Sequence, residues 1–388
     1  MTRSYGEKPA WQTISLLSVG LLGSITAELI LTGSAVSVAD ELELNKQMLG
    51  RSATSLTAFF TLFPRIKGIW KMNQRVSFSI LFLLLGLSNI IIYIDSNLIM
   101  FVIGMVLLGI VVGGFSLSFI TVSRTLVSGN FVTKSFSTIF PLLLLVSSAI
   151  VAFGSILCKM FDARTFAFLV IILLIVSFFS LLIELQSFKA KSQKSEPALI
   201  DLLPNRANKI ATLVVILLLG GQFSFLMYLG PFVEAIADFH GYSSFAFLMT
   251  FVIFNFLGGW LDPLILSSSP FLKLIILPAA LAFAMLGMVL CDQILWLSYI
   301  LITFLGFFNG PFMIGWARWL TQSFTSNGSF LLLAVIQFSI ALGSVGGGLI
   351  SKVGGAKGVF TFSGIVLLAV PLCIMVLCSS TDLAKDSR

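Results

Sequence analysis

Long apolar runs, separated by short polar loops, repeat from one end of this chain to the other. A run of roughly 18 or more such residues is long enough to cross the hydrocarbon of a bilayer as a helix. Runs of this kind fall near 13–38, 76–94, 98–121, 135–158, 165–185, 209–233, 243–266, 271–291, 293–317, 328–350 and 357–378. A twelfth, weaker run occupies 50–69. Ser52 to Pro64 is only thirteen residues, so this helix must borrow Ile66, Ile69 and Trp70, with Arg65 and Lys67 snorkelling toward the headgroups. Strands of a spanning barrel would alternate apolar and polar residues over about ten positions. None of these runs alternates, so the pattern predicts an all-α integral membrane protein with twelve transmembrane helices.

Composition agrees with that pattern and removes the soluble classes. The chain is 58% hydrophobic and 10% charged, where soluble domains carry about 25% charged residues, and its mean hydropathy is +1.07. With the N-terminus placed in the cytoplasm, seventeen of the 23 Lys and Arg residues fall on the inner side. Six remain outside: Lys46, Arg51, Lys159, Arg164, Lys352 and Lys357. That bias sets the orientation, puts both termini in the cytoplasm and requires an even number of helices. The net charge of +7 is mostly this bias. Its basic residues are dealt out loop by loop and form no nucleic-acid-binding face. The first run is too long for a signal sequence and has no small-residue cleavage site, so it counts as a span. Cys158, Cys291, Cys373 and Cys378 lie at helix ends without metal-ligand spacing.

The long polar stretch from Glu184 to Lys209 lies between the sixth and seventh spans and divides the chain into six plus six. The expected organisation is an N-terminal bundle over 1–183, a cytoplasmic loop over 184–208 and a C-terminal bundle over 209–388. A duplication should leave matching residues at a constant offset. The fourth span has Leu108-Gly109 through Gly113 and Phe115; the tenth has Leu305-Gly306 through Gly310 and Phe312, 197 residues later. Leu21-Leu22-Gly23 meets Leu218-Leu219-Gly220 at the same offset. Small-xxx-small pairs such as Gly109/Gly113 and Gly343/Gly347 let helix backbones approach closely.

Polar residues inside such spans are the candidates for chemistry. Glu28 is the one acid deep in a span, where an ionised carboxylate costs several kcal/mol. Ser24, Glu28 and Thr32 share one helical face, which must look into protein or a water-filled cavity. Burial favours the protonated carboxyl, so an acid alternately dry and wet can carry a proton. Asn89, Gln222, Asn255, Asn309 and Gln337 are neutral polar residues inside spans, with Tyr228 and Trp316 as amphipathic aromatics. Amides suit polar uncharged ligands and aromatics supply stacking surfaces, although both also serve as interhelical glue. Gln222 and Asn309 rank first, because the repeat puts them on equivalent helices beside glycines. No G-x-x-x-x-G-K-[ST] phosphate loop, H-E-x-x-H or G-x-S-x-G motif occurs, and the single histidine, His240, falls in an expected outer loop. Neither ATP-driven transport nor an intramembrane enzyme is expected.

Several phrases resemble the major facilitator superfamily, specifically its twelve-helix drug:proton antiporter branch, along nearly the whole chain. They are Gly221-Gln222-Phe223-Ser224-Phe225, Tyr228-Leu229-Gly230-Pro231-Phe232, Gly315-Trp316-Ala317-Arg318-Trp319 and Ala334-Val335-Ile336-Gln337, with Thr26-Ala27-Glu28-Leu29 in the first half. They look most like the purine-ribonucleoside efflux permeases and less like the sugar exporters. The resemblance implies two six-helix bundles that rock about a central cavity lined by spans one, four, seven and ten. It also implies a bacterial inner-membrane location, a proton gradient in place of any cofactor, and a small-molecule solute and the lipid bilayer as partners, with a monomer sufficient for function. Some positions depart from the family. Met105 stands where an arginine is usual, Ala152 where a proline is usual, and Pro64 to Lys71 lacks the gate aspartate. Gly258-Gly259-Trp260-Leu261-Asp262 keeps more of the corresponding gate in the second half.

These readings converge on a proton-coupled efflux transporter for a small polar or amphipathic solute, with purine nucleoside-like compounds as the leading choice. Glu28 would couple protons. Ser24, Thr32, Gln222, Tyr228, Asn309, Trp316 and Gln337 would contact solute, and Arg65, Lys67 and Asp262 would gate. Sugar or drug efflux on the same fold, and a degraded non-transporting membrane protein, stay open as rivals.

Overall fold

A computed structural model describes Gly23 and residues 74–94, 98–126, 145–146, 206–240, 243–265, 270–323 and 329–386. Among the described residues there are seven helices and no strand. They are α1 (Gln74–Ile94), α2 (Leu98–Leu126), α3 (Arg206–His240), α4 (Ser244–Trp260), α5 (Pro270–Leu290), α6 (Leu295–Ser323) and α7 (Ser329–Asp386). α7 is two helices joined at Gly355, whose φ of 60° and ψ of −157° are open to glycine and strained for other residues. Eight of the predicted spans therefore coincide with described helices, α7 supplying two of them. The runs at 50–69 and 165–185, all of 13–38 but Gly23 and nearly all of 135–158 lie outside the described residues.

These helices bury an apolar core as a soluble protein does, but they also expose large apolar side chains and bury amides. On α1, Val76, Ile80, Leu83, Leu87 and Ile90 form an exposed apolar stripe at helical spacing, whereas Ser88 and Asn89 are buried. The same holds elsewhere: Trp260, Phe283, Leu290, Leu349 and Leu372 are all more than half exposed, while Gln222, Asn255 and Asn309 are fully buried. Lipid makes such a surface favourable, because it solvates Leu and Phe and has no hydrogen bond to offer an amide. Among the described residues, four stretches are long and apolar enough to span: Thr212–Ala237, Leu272–Leu290, Leu295–Trp316 and Phe338–Met375, the last divided by Gly355.

The chain forms two compact units, Met1–Leu143 with Leu157–Glu196, and Leu144–Ile156 with Pro197–Arg388. In the first, α1 and α2 pack as a hairpin. Leu81 and Ile92 of α1 fill the space left by the missing side chains of Gly114 and Gly104, and Phe82 meets Phe115 edge to face at 4.8 Å. In the second, α3 runs along α7, α4 along α6, and α5 packs on both α6 and α7. Phe232 of α3 stacks on Phe360 of α7 at 4.0 Å, and Phe247 of α4 on Tyr299 of α6 at 3.9 Å.

Candidate functional site

Within the second unit, three helices bring three amides together in a fully buried line. Gln222 of α3 donates through Nε2 to Oδ1 of Asn309 on α6. Asn309 donates through Nδ2 to Oδ1 of Asn255 on α4, at 2.8 Å. Asn255 in turn donates to the Leu145 carbonyl at 3.4 Å. Glycines make this meeting possible. A Cβ on Gly310 would run into Asn255 O and lie 3.1 Å from Gly259 Cα, and one on Gly258 would lie 2.8 Å from the Phe307 carbonyl carbon. α4 and α6 thus touch backbone to backbone beside the two asparagines, the close approach that small residues allow. Pro311, having no N–H, leaves the Phe307 carbonyl without its usual helical donor. That oxygen is the one that crowds Gly258.

The line ends unmatched. Gln222 Oε1 is buried and makes no hydrogen bond, and two residues on, Ser224 Oγ is likewise buried and unpaired. An orphaned buried polar group costs about 1–3 kcal/mol, so a carbonyl kept in that condition is ready to accept a hydrogen bond from a ligand. Gln222 and Asn309, chosen from the repeat, are thus brought into direct contact. Asn255, which completes the line, was visible in the sequence only as one polar residue among several.

The other sequence-selected residues are dispersed. Tyr228, on α3, pairs its hydroxyl with Ser351 Oγ of α7 at 3.2 Å, and Ser351 also donates to Gly348 O at 3.1 Å. Gly343 and Gly347 face this seam: a Cβ on the first would lie 2.9 Å from Gly220 Cα, one on the second 2.6 Å from Ser224 Oγ. Trp316 is buried and donates its indole N–H to Met313 Sδ, one turn earlier on α6, at 3.4 Å. Gln337 lies on α7. Ser24, Glu28, Thr32, Arg65 and Lys67 lie outside the described residues.

Asp262 has a partner that sequence reasoning missed. It follows the end of α4 and is fully buried, and Lys273 in the first turn of α5 reaches its Oδ1 at 2.6 Å and its backbone carbonyl at 2.9 Å. The lysine stem lies along α6, with Cβ and Cδ each 3.6 Å from where a Cβ of Gly315 would stand. One ion pair therefore joins α4 to α5 beside α6, the helix that carries Asn309. The available signal was an acid at one helix end and a base eleven residues later across a turn. A second pair, Lys357 with Asp292, ties α7 just past its Gly355 bend to the turn between α5 and α6.

No family model matches the chain. It is 24% identical over 375 residues to the purine ribonucleoside efflux pump NepI of Shigella dysenteriae, covering 95% of this chain and 94% of that protein. The NepI pump of Escherichia coli strain K12 matches at the same identity and coverage. A Pseudomonas aeruginosa protein named transcription regulatory protein OpdE is also 24% identical, over 93% of this chain and 92% of its own length. Among solved structures, the human organic anion transporter MFSD10 (TETRAN) shares the fold with a TM-score of 0.67, covering 94% of this chain and 99% of that one, at 12% identity. With its apolar helices, the chain is a multi-pass membrane protein that shares the fold of the MFSD10 transporter and is similar over nearly its full length to the NepI efflux pumps.

Proposed function

We propose that the chain exports a small polar solute, with purine nucleosides as the leading substrate class, in exchange for protons. The observation that carries this is the buried Gln222–Asn309–Asn255 line ending on an unmatched carbonyl. Uncharged amides bind polar neutral compounds without the desolvation cost of a fixed charge. The name carried by the NepI relatives supports the nucleoside class. In this reading twelve helices form bundles over 1–183 and 209–388, joined by 184–208, in a bacterial inner membrane with both termini cytoplasmic, and one chain suffices. Glu28 takes and releases the proton. Asp262, held by Lys273, and Arg65 and Lys67 gate the cytoplasmic side.

The direct test is growth of an expressing strain on a panel of nucleoside analogues, arabinose and lipophilic cations. Resistance confined to the nucleoside analogues is expected, and resistance to another class alone replaces the substrate assignment. For coupling, Glu28→Gln in inverted vesicles should uncouple solute movement from an imposed pH gradient. Undiminished gradient-driven movement would remove Glu28 from the mechanism. The OpdE relative favours a second reading, a membrane protein that acts through partners rather than transport. A thermal-shift screen in which no solute class raises stability would support it, since a ligand of the folded state must stabilise it.

A further inference from the structure

In a line of amides each hydrogen bond has a direction, and one end dictates them all. The Leu145 backbone carbonyl can only accept. Asn255 therefore turns Nδ2 toward it, which aims Oδ1 at Asn309. Asn309 has to meet that oxygen with Nδ2, which leaves its own Oδ1 for Gln222, and Gln222 has to answer with Nε2. What is left over is Gln222 Oε1, fully buried and unpaired. Turning Gln222 over by itself would set its oxygen against Asn309 Oδ1. Turning all three would set Asn255 Oδ1 against the Leu145 carbonyl.

We propose that Leu145 and Asn255 lock the polarity of this relay, so that Gln222 presents a fixed acceptor and the site selects solutes with an N–H or O–H donor at the matching position. Asn255 is then a positioning residue for specificity: it acts on solute through Asn309 and Gln222. The inference rests on the reading of Gln222 as solute-binding in a transporter, and it narrows the substrate class by chemistry rather than by size. A site built around a buried acceptor rejects an analogue lacking the donor more strongly than an apolar pocket rejects a missing methylene, because the acceptor is left unpaired. A freely rotating glutamine would show no such preference, since its amide can offer either end.

The full-length protein in proteoliposomes tests this with solutes that lose one donor and gain no bulk. These are adenosine, its 2′-, 3′- and 5′-deoxy forms and purine riboside, then arabinose with its single-deoxy forms, and tetraphenylphosphonium, which has no donor. In the wild type, one deletion in the transported series should lower kcat/KM by about 10- to 100-fold, the range expected for one unmatched buried acceptor. Asn255→Leu should shrink that ratio to within about threefold, because the relay can then turn over and Gln222 can offer its N–H instead. A purely structural role for Asn255 would lower every solute alike and leave the ratio intact, which overturns the proposal. So would a wild type in which all single deletions fall within about threefold, or one that moves tetraphenylphosphonium alone or no solute at all. Transport of arabinose but not adenosine would refute the nucleoside assignment while the sugar series still decides the polarity.

Discussion

Two buried asparagines, Asn89 on α1 and Asn309 on α6, meet the same difficulty in different ways. Asn89 bends back on its own helix and donates to Leu85 O at 2.8 Å, a carbonyl that Ser88 also uses at 2.8 Å. Its polarity is absorbed within one turn and binds nothing to its neighbours. Asn309 bridges two other helices and passes an unmet hydrogen bond on to Gln222. Burial of an amide in a membrane helix is therefore not a mark of function in itself. Where its hydrogen bonds go decides: an amide satisfied by its own backbone is neutral filler, and one that recruits partners from other helices organises a site.

The comparison can be broken in order of expected size, with unfolding of purified variants as the measurement. The strongest perturbation extends it to charge: Lys273→Met takes the buried Asp262 carboxylate's lysine away, and should cost about 3–5 kcal/mol. An effect under about 1 kcal/mol would mean that water reaches the pair and that the contact does not brace α4 against α5. Next, Asn309→Leu removes the partner that Gln222 Nε2 and Asn255 Oδ1 share, an expected loss of about 1–3 kcal/mol. Tyr228→Phe removes one contact to Ser351, which keeps its bond to Gly348 O, so about 0.5–1.5 kcal/mol is expected. Asn89→Leu, similar in volume and with no partner on another helix at stake, should fall within about 0.5 kcal/mol of the parent. If Asn89→Leu costs as much as Asn309→Leu, the distinction between filler and bridge fails.

Much of this architecture was readable from hydropathy, because lipid imposes one simple demand on every span. The runs at 76–94 and 271–291 coincide with α1 and α5 to within two residues, and the run at 209–233 lies inside the longer α3. The bend that divides α7 was also foreseeable, as Lys352 and Lys357 flank a glycine pair at 354–355 between two apolar runs. The pairing of Gln222 with Asn309 was half legible: the repeat put both on equivalent helices, but nothing local said that they touch. Asn255 and Lys273 were not legible as site residues. Asn255 reaches partners 54 and 110 positions away, and no periodic pattern encodes a contact at such range. Lys273 entered the reading as one inner-side charge among many, and only the packing of α5 on α6 folds its stem back toward Asp262. Trp316 was legible as an amphipathic aromatic inside a span, but the bond from its indole N–H to Met313 one turn earlier was not.

The backbone contact between α4 and α6 bears on how such a protein can change over evolutionary time. Helices held apart by large side chains shift whenever one of those side chains is replaced, and any site between them is redrawn. Here Gly258 and Gly310 set the spacing by main chain against main chain, which is indifferent to what the neighbouring positions carry. Positions 222, 255 and 309 can then exchange one polar side chain for another while the helices that carry them keep their spacing; on the proposed function, that changes which solutes are recognised. Substrate range becomes a trait free to drift on a conserved frame.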